Sequence, residues 1–320
     1  GLHRCSDLPD TGDRTVLYPR GMPDDLAPVA VFAYRRPGHL DRTLAALAAD
    51  PGAQATSVTV FCDGAKGPDD ADAVAQARAV ARAARGFASV EVIERPRNMG
   101  LAANVIDGVT WMLQEHDRVI VLEDDMVVSP DFLGYMNSAL DIYADAPEVV
   151  SIHAYMYPTQ RQLPQTFFLR GADCWGWATW RSGWATFRPD GRALLRELED
   201  RGLTDEFDFD GAFGYTQMLR DQVAGSVDSW AVRWYASAFL AGKLTLYPGR
   251  SLVENIGLDG SGTHSRGTRG LGTAVGSMGV LERIDPVEDQ GARAAVAEAL
   301  RSQSTPRSRW AGRVRRRWPR

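Results

Sequence analysis

Short apolar runs alternate with longer amphipathic stretches through the first 125 residues. The runs are Val29-Ala30-Val31-Phe32-Ala33-Tyr34, Val58-Thr59-Val60-Phe61-Cys62, Val90-Glu91-Val92-Ile93 and Val119-Ile120-Val121-Leu122. Each is too short for a helix and rich in β-branched or aromatic residues, so each reads as a strand. Between them, residues 39–49 carry Leu40, Leu44 and Leu47. The Ala-rich stretch 69–85 carries Val74 and Val80, and residues 101–115 carry Val105, Val109 and Met112. These spacings put the apolar side chains on one face of a helix. Strand and helix in alternation predict an α/β fold, a mostly parallel central sheet flanked by helices on both faces.

After Asp125 the rhythm fades. The pattern predicts helices over 131–144, 192–201, 211–223, 230–241 and 287–301, and strands over 149–152 and 244–247. A Trp- and Gly-rich stretch spans 171–184, and a Gly-rich loop spans 255–279. The expected organisation is an N-terminal arm (1–27), a ligand-binding half (28–128), a second half of the same domain (129–285), and a terminal helix with tail (286–320).

Composition changes this picture little: 44% hydrophobic and 24% charged residues are ordinary for a globular chain. Cys5, Cys62 and Cys174 are widely spaced and odd in number, which excludes a disulfide framework or zinc knuckle and points to a reducing cytoplasm. No apolar run approaches a membrane span, and residues 1–22 are polar, reading as an arm and not as a leader. Charge adds one feature. Seven arginines and no acid fall in residues 303–320, leaving the rest of the chain at −12. Two tryptophans flank them, a composition suited to peripheral contact with an anionic membrane surface, or to a solvated end. No nucleic-acid partner is expected.

The candidate chemistry begins where the fourth run ends. Glu123, Asp124 and Asp125 follow Leu122 without a gap. Ligands of open α/β sheets bind off the carboxyl ends of the strands. Three acids there repel one another and call for a cation, for which a divalent metal holding a diphosphate is one solution. Capping of the following helix is the other reading of the same acids.

With these pieces in order, the chain resembles the GT-A glycosyltransferases. More narrowly it looks like bacterial family 2-type sugar transferases, and it is similar to the N-acetylglucosaminyltransferases that act on mannose. The stretches that carry the resemblance are Val31-Phe32-Ala33-Tyr34-Arg35-Arg36-Pro37, Val60-Phe61-Cys62-Asp63-Gly64, Arg97-Asn98-Met99-Gly100-Leu101 and Leu122-Glu123-Asp124-Asp125. Three later ones are Gly176-Trp177-Ala178-Thr179-Trp180, Asp228-Ser229-Trp230, and the run from Asn255 to His264. The resemblance implies a GT-A, Rossmann-like sheet with a C-terminal acceptor-side region. It makes residues 28–128 the nucleotide-sugar half and 129–285 the acceptor half.

It also implies roles. Asp125 would bind Mn²⁺ or Mg²⁺ with His264, and Asp124 would bind ribose or metal. Arg36 would neutralise a donor phosphate and Asp63 would accept an N–H of the base. Asn98, Gly100 and Asn104 would shape the nucleotide floor. Trp177, in a cluster with Trp175, Trp180 and Trp184, would stack on a sugar ring or fill a core patch. Asp228 would be the general base, with Asp173, Glu206 and Asp208 in reserve; a helix N-cap is the competing role for Asp228. The implied reaction is metal-dependent, inverting transfer from a nucleotide-diphosphate sugar, UDP-N-acetylglucosamine by the nearest resemblance. The acceptor would be a carbohydrate, lipid-linked or small-molecule hydroxyl. A sugar nucleotidyltransferase, or a carbohydrate-binding protein on a degenerate transferase fold, are the alternatives.

Overall fold

A computed structural model describes residues 26–259 and 275–303. Its first half alternates as the apolar pattern predicts. The order is β1 (Val29–Ala33), α1 (Pro37–Ala48), β2 (Ser57–Cys62), α2 (Pro68–Ala83), β3 (Ser89–Glu94), α3 (Leu101–Glu115) and β4 (Arg118–Glu123). There follow β5 (Met126–Val128), α4 (Phe132–Ile142), β6 (Val149–His153), β7 (Thr166–Arg170), β8 (Trp177–Trp180) and α5 (Arg181–Trp184). The remaining elements are α6 (Gly191–Asp200), α7 (Thr204–Phe207), α8 (Tyr215–Val223), α9 (Trp230–Leu240), β9 (Leu244–Pro248), β10 (Val253–Asn255) and α10 (Gln290–Gln303).

One eight-stranded sheet runs β3-β2-β1-β4-β8-β6-β9-β7 across both halves of the chain. Strands β1 to β4 are parallel, as are β6 and β9; β8 and β7 run against their neighbours. The sheet is mostly parallel, as a GT-A fold requires. Two of its strands, β7 and β8, have no counterpart in the sequence reading. Both are short and buried on both faces, so they carry no alternation of apolar and polar positions.

Period-two alternation sorts the strand residues between two cores. Val29, Val31, Ile120 and Leu122 face α1 and α4, packing with Leu40, Leu44 and Phe132. Ala30, Phe32, Val119 and Val121 face α3 and α9, packing with Val105, Val109, Trp177 and Trp234. A third core, rich in Tyr and Phe, lies against β7 and β9 under α6 to α10. A second, two-stranded sheet pairs β10 with β5, Asn255 opposite Met126. It pins the segment after β10 directly over the acidic run.

Candidate active site

The carboxyl ends of β1, β2 and β4 open onto a cleft of about 510 Å³. Arg36, Asp63, Asn98, Gly100, Asn104, Asp124, Asp125 and Asp228, eight of the ten site residues expected from sequence, line it. His264 and the basic tail fall outside the described residues.

The acidic run is only partly solvated. Asp124 is 3% and Asp125 7% exposed. Pro37 starts α1 and leaves Arg36 at its N-cap, from which the guanidinium reaches both acids. It pairs with Asp124 and lies 2.7 Å from Asp125 Oδ2. Burial alone would lower the Arg36 pKa, but the two carboxylates outweigh it and hold it raised. Burial pushes Asp124 up, Arg36 pulls it back, and Asp125 pushes it up again. Glu123 is pushed up to about 8 by burial first, then by Asp125 and Asp124. Asp125 Oδ1 is buried with no hydrogen-bond partner among the described residues.

The segment after β10 closes over this group. Ile256 N–H donates to Asp125 O at 2.9 Å and Gly257 N–H to Asn255 Oδ1 at 2.9 Å. A Cβ on Gly257 would lie 2.1 Å from Asp125 Oδ2 and 2.8 Å from an Arg36 nitrogen, so a larger residue here would displace the Asp125–Arg36 pair. Trp175, one of the clustered tryptophans, lines the cleft too, as do Asn255, Gly257 and Lys66, to which the sequence had assigned no site role. A cation just beyond Asp63-Gly64 and a glycine in the Asn255-Ile256-Gly257 motif were the available signals.

Asp63 departs from its expected role. Its Oδ1 accepts from the N–H groups of Gly64 and Met99, each at 2.8 Å, and its Oδ2 from Asn98 Nδ2 and Gly100 N–H, each at 3.0 Å. A carboxylate has about four lone-pair sites, so no capacity remains for a base N–H. Asp63 ties the end of β2 to the loop before α3 and thereby sets the cleft floor. Asn98 also donates to Gly64 O at 2.8 Å, and buried Asn104 accepts from Arg95 Nε at 3.0 Å.

Trp177 is the second correction. It has no exposed surface and does not line the cleft. It packs among Trp184, Trp230 and Trp234 with ring centroids 5.5–5.8 Å apart. A ring enclosed on every side cannot stack on a sugar. Two residues earlier, half-buried Trp175 presents its ring to the cleft.

Asp228 stands at the rim with its side chain 64% exposed, 3.6 Å from Arg233. A Cβ on Gly100 would lie 3.4 Å from its Oδ2. It does not cap α9: Ser229 does, accepting from Val232 N–H. The reserve acids lie off the cleft lining. Asp208 accepts from Thr216 N–H at 2.6 Å, Glu206 pairs with Arg170 at 2.7 Å, and Asp173 sits in a cluster of tyrosines.

An acidic pair and an arginine at the carboxyl end of a central strand occupy the place where open α/β sheets bind their ligands. The sequence profile of glycosyl transferase family 2 matches residues 29–198, just over half the chain. The chain belongs to this family. No curated protein matches it. Among solved structures it is similar to S. aureus TarS 1–349 in complex with UDP, at 14% identity, 54% of this chain, 49% of that chain and TM-score 0.31. It is also similar to glucosyl-3-phosphoglycerate synthase from Mycobacterium tuberculosis, in complex with Mn²⁺, UDP and glucosyl-3-phosphoglycerate. There the figures are 12% identity, 55% of this chain, 67% of that chain and TM-score 0.33. The chain thus spans about half of the first and two thirds of the second, and the family assignment rests on the sequence match.

Proposed function

We propose that the chain transfers a sugar from a nucleoside-diphosphate donor to a hydroxyl acceptor, with inversion and with Mn²⁺ or Mg²⁺. UDP-N-acetylglucosamine is the donor of first choice. The observation that carries this reading is the acidic pair at the end of β4, with Asp125 Oδ1 buried and unpartnered beside it. Among the described residues no three His, Cys, Asp or Glu side chains form a metal cage. A cation on a diphosphate needs only one or two carboxylates, the rest of its shell being phosphate and water. Asp125 and Asp124 fit that requirement, with His264 as a further ligand. When bound, the metal would neutralise the departing diphosphate.

Arg36 supplies a second positive charge where diphosphate charge develops. Asp63, Asn98 and Gly100 hold the floor rigid. In an inverting displacement the acceptor hydroxyl attacks the anomeric carbon and passes its proton to a carboxylate. Of the five acids lining the cleft, Asp63 is saturated, and Glu123, Asp124 and Asp125 crowd together around Arg36. Asp228, whose ion-pair partner among the described residues is Arg233 at 3.6 Å, is the remaining acid and our choice of base. On this reading residues 28–128 hold the donor and 129–285 the acceptor. No described helix is long and apolar enough to cross a membrane; the basic tail is proposed as a peripheral contact. Family membership argues against the nucleotidyltransferase alternative, and an assay of donor turnover separates catalysis from a purely binding role.

A thermal-shift panel of nucleoside diphosphates with and without Mn²⁺ tests the reading. A ligand at a hundred times its dissociation constant should add about 2.7 kcal/mol, and Asp125→Ala should abolish the metal-dependent part. Nucleotide binding that survives both EDTA and this substitution sinks the metal site.

A further inference from the structure

The ligand edge of the sheet does not end at β4. Beyond β8 it continues to the carboxyl ends of β6 and β9, which terminate in His153 and in Tyr247-Pro248. The loop that enters β8 brings Asp173 to the same edge. Strands lie about 4.8 Å apart, so this second group stands roughly 10–14 Å from the acidic pair, farther along the same edge.

Its chemistry is that of hydroxyl recognition. Asp173 Oδ2 accepts from Tyr157 Oη at 2.8 Å and Tyr247 Oη at 3.4 Å, and Oδ1 accepts from Cys174 N–H at 2.8 Å. Tyr215 Oη lies 3.4 Å from Tyr157 Oη. Burial raises all three phenols, so they remain protonated donors. The Asp173 side chain is nevertheless 19% exposed. Trp175, which lines the cleft, meets Tyr155 edge-on at 4.7 Å, so the cleft wall and this cluster are continuous.

The cluster is also unfinished. His153 is wholly buried, and among the described residues neither ring nitrogen has a hydrogen-bond partner. Burial lowers its pKa, although Asp173 opposes this, so the ring is neutral and carries one N–H. A buried N–H without a partner is unfavourable. Its Nε2 lies 3.7 Å from Asp173 Oδ2, beyond hydrogen-bond distance, and Asp173 Oδ1 accepts from the Cys174 N–H alone among the described residues, which leaves it room for a further donor. A group whose only duty was to brace β6 against β9 would gain nothing from this shortfall.

We propose that Asp173, with Tyr157 and Tyr215 beside it and Trp175 at its edge, is the acceptor subsite of the transferase. The acceptor is then a carbohydrate: Asp173 receives hydroxyl hydrogen bonds and Trp175 lies against the ring. This inference rests on the glycosyl-transfer reading above. Asp173 is a specificity residue in it, and no proton is transferred to it.

The test measures nucleoside-diphosphate release from a panel of nucleotide sugars with Mn²⁺. It is run without acceptor and with methyl glycosides of mannose, galactose, glucose and N-acetylglucosamine, using the full chain. At least one glycoside should accelerate release in a saturable way. Asp173→Asn should raise the KM for that glycoside roughly 10–100-fold, the loss expected for a charged hydrogen bond. Donor KM and acceptor-free release should stay within about twofold. Tyr215→Phe, which keeps the ring and removes one hydroxyl, should raise the same KM by less, and it stands in if the Asn variant does not fold. Absence of release with every donor overturns the transferase reading itself. Acceptor-free release that no glycoside accelerates overturns the subsite alone. So does a glycoside KM unchanged in both variants, or acceleration by an alkyl alcohol or a serine peptide only.

Discussion

Arg36→Gln would expose what the acidic pair costs. Asp124 and Asp125 are almost fully buried, and the Arg36 guanidinium is the cation paired with both. Removing one partner of a buried ion pair costs about 3–5 kcal/mol, because the remaining charge is left desolvated. The Arg36 side chain is itself 19% exposed, so solvent screening places the expectation near the lower end, about 3 kcal/mol. At roughly 2–4 °C per kcal/mol for chains approaching this size, the melting temperature should fall by about 6–12 °C. The pH dependence has a definite sign. Burial already raises Asp124, and Arg36 holds it down; without Arg36 its folded pKa rises further. A carboxylate with a raised folded pKa is stabilising when protonated and loses that contribution as pH rises through the folded pKa. The deficit should therefore be smaller at pH 5 than at pH 8. Mn²⁺ should raise the melting temperature of the variant more than that of the wild type, since it supplies the missing positive charge. Nucleoside-diphosphate affinity should fall, since a phosphate partner is gone. Differential scanning fluorimetry across pH, with and without Mn²⁺, reads all of this. A deficit independent of pH, together with equal Mn²⁺ increments in the two proteins, would refute the account.

Asp228→Asn should cut transfer on the order of 10²–10⁴-fold with donor affinity and melting temperature unchanged, because Ser229 caps α9; near-normal transfer removes Asp228 from the mechanism. Trp177→Ala should cost about 3–5 kcal/mol by opening a cavity in the tryptophan cluster, yet leave donor affinity intact in calorimetry well below the melting temperature. A selective loss of donor binding would return Trp177 to the site. Burial raises the Asp50 carboxyl from 3.8 to about 6, against the pull of the Leu133 and Gly52 N–H groups. Its stabilising contribution is full below pH 3.8 and is lost as pH rises through 6. At about 1.4 kcal/mol per pH unit, the stability of Asp50→Asn relative to wild type should improve by up to roughly 3 kcal/mol between pH 4 and pH 7. Parallel pH profiles in urea unfolding would contradict this.

How much of this was legible beforehand differs along the chain. Residues 29–125 could be read because each strand is followed by its own covering helix, and the pattern that buries both lies within a window of thirty residues or so. Apolar spacing is enough there, and the ordering of glycines, acids and Arg36 at strand ends follows from it. Beyond Asp125 the strands pair with distant partners: β8 lies between β4 and β6, and β7 pairs with β9. Nothing local distinguishes Thr166–Arg170 or Trp177–Trp180 from any other buried run.

The site divides the same way. The acidic run, its arginine and its neighbouring glycines were visible in the sequence, since residue type and place at a strand end already state their chemistry. Only the folded chain decides which side chains remain free to act. Asp63 looks like a ligand-binding carboxylate until four protein donors fill its lone pairs. Trp177 and Trp175 are the same residue type two positions apart, and packing alone encloses one and opens the other. The Asp173 cluster draws residues from three parts of the chain, and no spacing rule joins them. Covalent sequence sets local periodicity and chemical inventory; burial, hydrogen-bond saturation and proximity are properties of the whole packed arrangement, which no local window contains.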